Sequence, residues 1–384
     1  MAEDVGPSSE VAMLLGIGRR LCSEPTSEAL FQTILEDAVA LIGADGGTIY
    51  VYDSASDSLV FKFVISSNPD VANRLKGLTL KRGVGIVGQV AETLVTDLVA
   101  DTRCDPRFAK DIDRKTGFET NSALTVPLHF FDDESQSRTL VGVLQLVNKK
   151  SGTFTESDVR KMEAFGGFAA ALLTRANLFQ RIRRQFLGTI ASLAEAVDAK
   201  DPYTHGHSQR VAAYSVALGA ALGLSRTQLF SLRVSSLLHD IGKIAIPDAI
   251  LQKQAKLTDD EYARIQTHSQ EGVRILRPVN MSAEVYEGIL HHHEKWDGSG
   301  YPNKRKGNEI PLFGRIVAFA DALDTITTER PYKKARSFEE ARRVVLQDAG
   351  MHFDPDLAPT FCGLPHESIL NALSPFDTES SQPS

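Results

Sequence analysis

The chain has 384 residues, 42% apolar and 24% charged, with a formal charge of −7. At ~100–200 residues per domain this length predicts two domains, each able to bury its own core. A negative balance without a sustained basic run excludes nonspecific nucleic-acid binding, which needs clustered lysine and arginine to displace counterions.

No window approaches the ~20 apolar residues of a membrane span, and the N-terminus lacks the charged and apolar regions of a signal peptide. Cys22, Cys104 and Cys362 are odd in number, widely spaced and outside any metal-ligand spacing. Reduced thiols and a cytoplasmic location are therefore expected, with no membrane contact.

Residues 1–23 form a polar entry followed by a short apolar helix. From 24 to 175 helices mix with short strands. Glu28 to Leu41 is amphipathic, and Thr48 to Tyr52 and Leu59 to Val64 read as strands joined by the turn-rich Asp53 to Asp57, a hairpin signal. Leu140 to Val147 is a further strand. Helices at the two ends would cover one face of an antiparallel sheet, which predicts an α+β sensor-like domain.

Thr155 with Asp158 three residues on resembles a capping box. It opens a linker helix over 156–198 whose Phe165, Phe168, Leu172, Ala176, Phe179, Ile182, Phe186, Ile190, Leu193 and Val197 advance in threes and fours. Such a stripe suits a seam between two copies of the chain, so a homodimer is expected. The alternative is a helix packed only on its own domains, and Gly166, Gly167 and Gly188 weaken the coiled-coil reading.

From 199 to 372 the pattern is helical throughout, with capping boxes at Ser225/Gln228 and Thr258/Glu261. The Ser- and Pro-rich tail, 373–384, is expected to be disordered.

The helical half carries the chemistry. His239-Asp240-Ile241-Gly242-Lys243 precedes His291-His292-His293-Glu294-Lys295-Trp296-Asp297-Gly298-Ser299-Gly300-Tyr301-Pro302. Imidazoles with carboxylates suit iron, manganese and zinc, whereas an all-oxygen cage suits calcium or magnesium. A histidine on an apolar stripe is ordinarily a satisfied core residue. His268, however, falls on the buried face of a helix running from Tyr262 to Leu276, while His292 and His293 follow Ile289 by three and four and face inward.

His291 is rotated away. Asp321 follows Val317 by four on the apolar segment Arg315 to Leu323, and an unpaired carboxylate there would be costly. With His207, the candidate ligands are His207, His239, Asp240, His268, His292, His293 and Asp321. These are too many for one ion, and two metals sharing Asp240 would be accommodated.

Such a pair can generate a hydroxide and neutralise the attacking and departing oxygens of an in-line displacement at phosphorus. Lys243 would meet a non-bridging phosphate oxygen, or else serve merely as a helix C-terminal cation. His239, Asp240 and Lys243 are the catalytic candidates.

The motifs His-Asp-x-Gly-Lys, His268, His-His-Glu-x-x-Asp-Gly-x-Gly-Tyr-Pro and Asp321 in Ala-Asp-Ala-Leu-Asp resemble the HD-GYP family of bacterial phosphodiesterases over about residues 194–361. The resemblance implies an all-α HD-superfamily domain and a non-haem iron or manganese centre. It also implies hydrolysis of cyclic di-GMP to pGpG or onward to GMP. Lys243, Tyr301, Arg330 and Lys333 are the substrate-binding positions it implies. Three-metal members carry a glutamate where this chain has Tyr203, so a binuclear centre with pGpG as main product is expected.

Residues 24–175 resemble GAF domains through Lys81 to Val90, Leu124 to Leu128 and Val143 to Lys149. Cyclic-nucleotide-binding members have Asn-Lys, then Phe, then Asp-Glu. Here Asn148, Lys149, Phe154 and Asp158 are present, but Val159 replaces the glutamate. These four are the sensor-ligand candidates for a cyclic nucleotide or another small ligand, with dimerisation alone as the alternative. The expected whole is a sensor-regulated cyclic di-GMP phosphodiesterase. The rivals are a phosphohydrolase of another cyclic dinucleotide or nucleotide, and a non-catalytic cyclic di-GMP receptor.

Overall fold

The computed structural model describes residues 27–66, 74–75, 77–108, 119–132, 136–200, 206–329 and 335–364. Segments 1–23 and 373–384, with Tyr203, Arg330 and Lys333, lie outside them. The chain divides into two compact units, Met1–Ile182 and Arg183–Ser384.

In the first unit, α1 (Ser27–Ile42) leads into β1 (Ala44–Asp53) and β2 (Ser58–Ile65), the expected hairpin. β3 (Thr79–Lys81), α2 (Gly85–Thr93), β4 (Asp97–Val99), β5 (Ala123–Asp132) and β6 (Ser137–Lys149) follow. The sheet is antiparallel in the order β3-β2-β1-β6-β5-β4.

Side chains alternate across the sheet. Ile49, Leu124, Val126, Leu144 and Leu146 pack against Ile34 and Leu35 of α1 and against Met162 and Phe165 of α3 (Glu156–Asp198), as the two end helices predict. Tyr50 and Val143 turn to the other face, under Val87 and Val90 of α2. Pro127 sits in β5 beyond the last residue paired with β4, so its missing N–H leaves no gap in the β4–β5 ladder.

α3 is one helix of 43 residues, and the division between units falls within it. Its apolar residues do not form one buried stripe. Phe165 and Leu173 belong to the first core and Leu187, Ile190, Ala194 and Val197 to a core of the second unit, while Phe168, Leu178, Phe179, Ile182 and Leu193 are exposed. The expected stripe is set off the buried face, so Phe168, Phe179, Ile182 and Leu193 fall on its exposed side while Leu173, Leu187 and Ala194, which it left out, are buried.

Within its own residues the second unit is helical, as expected: α4 (His207–Ala221), α5 (Arg226–Leu238), α6 (Asp248–Leu251), α7 (Asp259–Gln266), α8 (His268–Leu276), α9 (Ala283–His291), α10 (Leu312–Thr327), α11 (Phe338–Gln347) and α12 (Leu357–Cys362). Both expected capping boxes, at Ser225 and Thr258, form. The single helix expected to run from Tyr262 to Leu276 is instead two, broken at Thr267, and this makes His268 the first residue of α8. One apolar cluster gathers α4, α10, α11 and α12; another gathers α5, α8, α9 and the end of α3.

Asn148, Lys149, Phe154 and Asp158 come together where β6 meets α3. Asn148 Oδ1 accepts from the backbone N–H groups of Asn121 and Ser122, and its Nδ2 donates to Glu119 O. Lys149 Nζ lies 2.6 Å from Asp158 Oδ2, which also caps Thr155, and Phe154 is buried in the core. Their polar atoms thus bind one another and the backbone.

Burial works against the Asp158 charge, but Lys149 and Thr155 hold its carboxyl below the usual range. Its stabilisation is therefore fully present above the unfolded carboxyl pKa near ~4 and fades as pH falls through the lower folded value. Asp158→Asn is expected to cost about 1–3 kcal/mol at neutral pH. The difference from wild type should shrink under acid conditions, as thermal unfolding across pH would measure.

Candidate metal centre

Seven side chains from five helices and their ends converge in the second unit. His207 opens α4, His239 and Asp240 follow α5, His268 opens α8, His292 and His293 follow α9, and Asp321 lies midway along α10. Ligand atoms of Asp240, His268, His292 and His293 lie within 4.8 Å of one another, and so do those of His207, His239 and Asp321. All seven residues proposed from the sequence are thus brought together, in two groups.

Asp240 links the groups. Its Oδ2 lies 3.3 Å from His239 Nε2, and its Oδ1 lies 3.5 Å from His268 Nε2. His291, set aside in the sequence, belongs to neither group; it is buried beside Glu294, its Nδ1 3.6 Å from Oε1.

Helix-end geometry orients the imidazoles. His239 Nδ1 lies 2.7 Å from Ser236 O, His268 Nδ1 2.8 Å from Ile265 O, and His292 Nδ1 2.7 Å from Ile289 O. In each case the acceptor is the carbonyl three residues earlier, so Nδ1–H donates to it; burial leaves Nε2 of His268 and His292 with its lone pair, while Asp240 and Asp321 raise the His239 pKa despite burial. His207 Nδ1 lies 2.7 Å from Asp324 Oδ2, and Arg210 Nε donates to Asp324 Oδ1 at 2.6 Å. Such outer carboxylates fix the tautomer and orientation of metal-binding histidines.

The donor set fits a cation. His268 Nε2 and His292 Nε2 are 3.2 Å apart. Two lone pairs facing each other at that separation repel unless a proton or cation lies between them. His239 Nε2 is buried and makes no hydrogen bond.

Burial holds His268 and His292 below the ordinary imidazole pKa and takes His293 down to about 3, which keeps neutral ligands available. His207 goes the other way. Burial opposes its charge, but hydrogen bonds to Asp321 and Asp324 prevail and push it up to about 10. Asp240 is held well below the carboxylate range despite burial by Lys243 and His239, and Asp321 is lowered by His207.

Lys243 Nζ sits 2.7 Å from Asp240 Oδ2 and is partly exposed, at 16%. The Tyr301 ring lies 4.7 Å from the His293 ring, at the edge of the four-residue group. Glu294 positions that loop, since its buried carboxylate accepts from the backbone N–H of Asn303 at 2.7 Å and of Arg305 at 3.1 Å.

Two glycines in the motifs have steric causes. A Cβ on Gly242 would fall on the His268 carbonyl oxygen, so only glycine lets the turn after Asp240 lie against the start of α8. A Cβ on Gly300 would meet Lys295 N and His293 O, which bars any side chain where the loop folds back on the histidines.

Asp324, Arg210 and Glu294 have roles that sequence reasoning did not assign. The available signal was spacing: Arg210 follows His207 by three and Asp324 follows Asp321 by three, which places each pair on one helix face.

Residues 191–357 match the HD domain family and residues 26–173 the GAF domain family. The chain is 38% identical over 205 residues to 3′3′-cGAMP-specific phosphodiesterase 2 of Vibrio cholerae, covering 53% of this chain and 39% of that protein. It is 43% identical over 162 residues to a cyclic di-GMP phosphodiesterase of Pseudomonas aeruginosa, covering 42% and 39%. It is 39% identical over 173 residues to one of Thermotoga maritima, covering 44% and 46%. The chain thus spans half or less of the length of these relatives.

Mn²⁺ or Fe²⁺ added to metal-stripped protein is expected to raise the melting temperature, by about 2.7 kcal/mol of stability for one site at a hundredfold excess over Kd. Gly242→Ala should abolish that rise, because it separates Asp240 from His268.

Proposed function

We propose that this chain, a GAF domain joined to an HD domain, is a metal-dependent phosphodiesterase that hydrolyses cyclic di-GMP to pGpG. The observation that carries the reading is the double ligand group hinged on Asp240. Relatives named as cyclic dinucleotide phosphodiesterases support the substrate class.

His207, His239 and Asp321 would hold one ion, His268, His292 and His293 the other, and Asp240 would offer an oxygen to each. Iron or manganese suits this donor set, and two such ions, when bound, would supply hydroxide at neutral pH and neutralise charge on the oxygens around phosphorus.

The chain's own residues do the rest. Lys243, partly exposed beside Asp240, leaves its carboxylate partner for a non-bridging phosphate oxygen, where charge develops. Tyr301, on the loop that Glu294 braces, lines the approach next to His293. Arg330 and Lys333 complete the binding set on the strength of the family motif. One ester P–O bond opens, water adds across it, and the freed sugar oxygen leaves protonated in the linear product. Intact ligands favour an enzyme over a receptor, since mere binding needs no second ligand group. A nucleotide substrate and free Cys104 and Cys362 go with a cytoplasmic enzyme.

The exposed apolar residues Phe179, at 67%, and Ile182, at 55%, on α3 support a homodimer seam there. A ligand that binds the GAF domain unequally in two arrangements of the α3 pair would regulate turnover. The interlocked Asn148, Lys149, Phe154 and Asp158 would serve this by fixing β6 to α3.

A second reading, hydrolysis of a mixed cyclic dinucleotide, is favoured by the match to the cGAMP-specific protein of V. cholerae.

Anaerobically purified protein is expected to hold two ions per subunit and to convert cyclic di-GMP to pGpG; three ions by metal analysis would contradict the binuclear assignment. Asp240→Ala should abolish turnover, and equal turnover in both would remove the catalytic assignment. Faster cleavage of 3′3′-cGAMP than of cyclic di-GMP would select the second reading. Deleting residues 1–175 should change the rate. An unchanged rate with dimerisation retained would sink sensor control.

A further inference from the structure

The last residue of α3 and the residue two beyond it grip the backbone behind both ligand groups. Asp198, 4% exposed, takes the Ser208 hydroxyl on Oδ1 at 2.8 Å and the Ser208 backbone N–H on Oδ2 at 3.2 Å. Ser208 directly follows the ligand His207. Lys200 reaches the 3-10 turn Ile241–Ala245, which begins next to Asp240 and contains Lys243. Its Nζ donates to Lys243 O at 3.1 Å, Ile244 O at 3.1 Å and Ile246 O at 2.7 Å.

An ammonium has three donors, and these three carbonyls take all of them. Asp248 Oδ1, 3.2 Å away, balances the charge. Gln252 Nε2 in turn donates to Lys200 O at 3.0 Å, so the grip is held from both sides.

A surface lysine gains little from one ion pair and needs no such arrangement. Lys243 O also accepts from the Ile246 N–H at 3.0 Å, but the carbonyls at the close of a short turn outnumber its backbone donors, and a cation there sets where the turn ends. The turn also has no slack, because Gly242 already lies against the His268 carbonyl.

We infer that Asp198 and Lys200 are positioning residues that register the two ligand groups against the end of α3, Asp198 through His207 and Lys200 through Asp240 and Lys243. Neither touches the ligand atoms. An axial or rotational shift of this part of α3 would pass to both groups at once, and α3 is the helix that begins in the GAF domain. The inference rests on the two ligand groups of the proposed centre and is independent of which dinucleotide is cleaved.

The test is a stepwise Mn²⁺ titration of metal-stripped, full-length protein, followed by calorimetry and by the electron paramagnetic resonance of the bound ion. Lys200→Met and Asp198→Asn are each expected to weaken Mn²⁺ binding about 10–100-fold, as loss of an outer-shell partner does. Asp198→Asn should affect one of the two binding steps and Lys200→Met both, since Asp240 serves both groups. Lys200→Arg, which keeps the cation, should recover most of the loss.

Wild-type affinity in both variants would overturn the inference. So would a fall in the melting temperature of the metal-free protein with Mn²⁺ affinity unchanged, since that marks a structural role only. Should Lys200→Met fail to fold, Lys200→Gln and Ser208→Ala carry the same expectations and the same refutation. Failure of the wild type to cleave any cyclic dinucleotide would sink the substrate reading and leave the titration standing.

Discussion

Two imidazoles, His268 and His292, have Nδ1–H groups tied to carbonyls three residues back and a charge that burial disfavours, so each presents an Nε2 lone pair. The second unit is built so that these lone pairs meet. His268 and His292 face each other at 3.2 Å, the buried Nε2 of His239 makes no hydrogen bond, and burial disfavours relief of the repulsion by protonation of His268 and His292. In the His207 group the opposite solution holds, with two carboxylates around one imidazole that retains a proton when no ion is bound. A cation satisfies both groups, and among the described residues Asp240 reaches into each.

The surrounding fold makes that convergence affordable in steric terms. Helix ends, where ligands fall outside the hydrogen-bonded ladder, supply six of the seven side chains, and only Asp321 comes from mid-helix. Glycine at 242 lets two of those ends touch, and Glu294 folds the Tyr301 loop over the histidines. Apolar clusters on both sides of the site anchor the helices, so the ligand-bearing segments are held from behind by packing and by outer hydrogen bonds such as that of Asp324.

Much of this was legible in the residues themselves. Periodicity located α1, β1, β2, β6 and the long α3, and side-chain chemistry at Ser225 and Thr258 marked two helix starts correctly. Counting along one helix set His292 and His293 inward and His291 outward; His291 is buried too, beside Glu294 and outside both ligand groups, because the helix ends at it. Other features were hidden because they depend on contacts between distant segments. The break at Thr267 has no glycine or proline to announce it; the backbone there is set by seating His268 against Gly242. β3 and β4 are too short for an alternating pattern, and β5 is apolar almost throughout. The stripe on α3 was set off the buried face because Phe168, Phe179, Ile182 and Leu193 are apolar yet exposed, which a linear pattern cannot show. Asp324 carried a spacing signal, but nothing in the sequence separates an outer carboxylate from a solvated one.

The central claim is that the two ligand groups form one binuclear site hinged on Asp240. Anomalous diffraction from crystals of manganese-loaded protein tests it most directly. Two peaks should lie about 3.5–4 Å apart, one beside His207, His239 and Asp321, the other beside His268, His292 and His293, with an Asp240 oxygen on each. A single peak confined to one group, or two peaks that do not share Asp240, would contradict it.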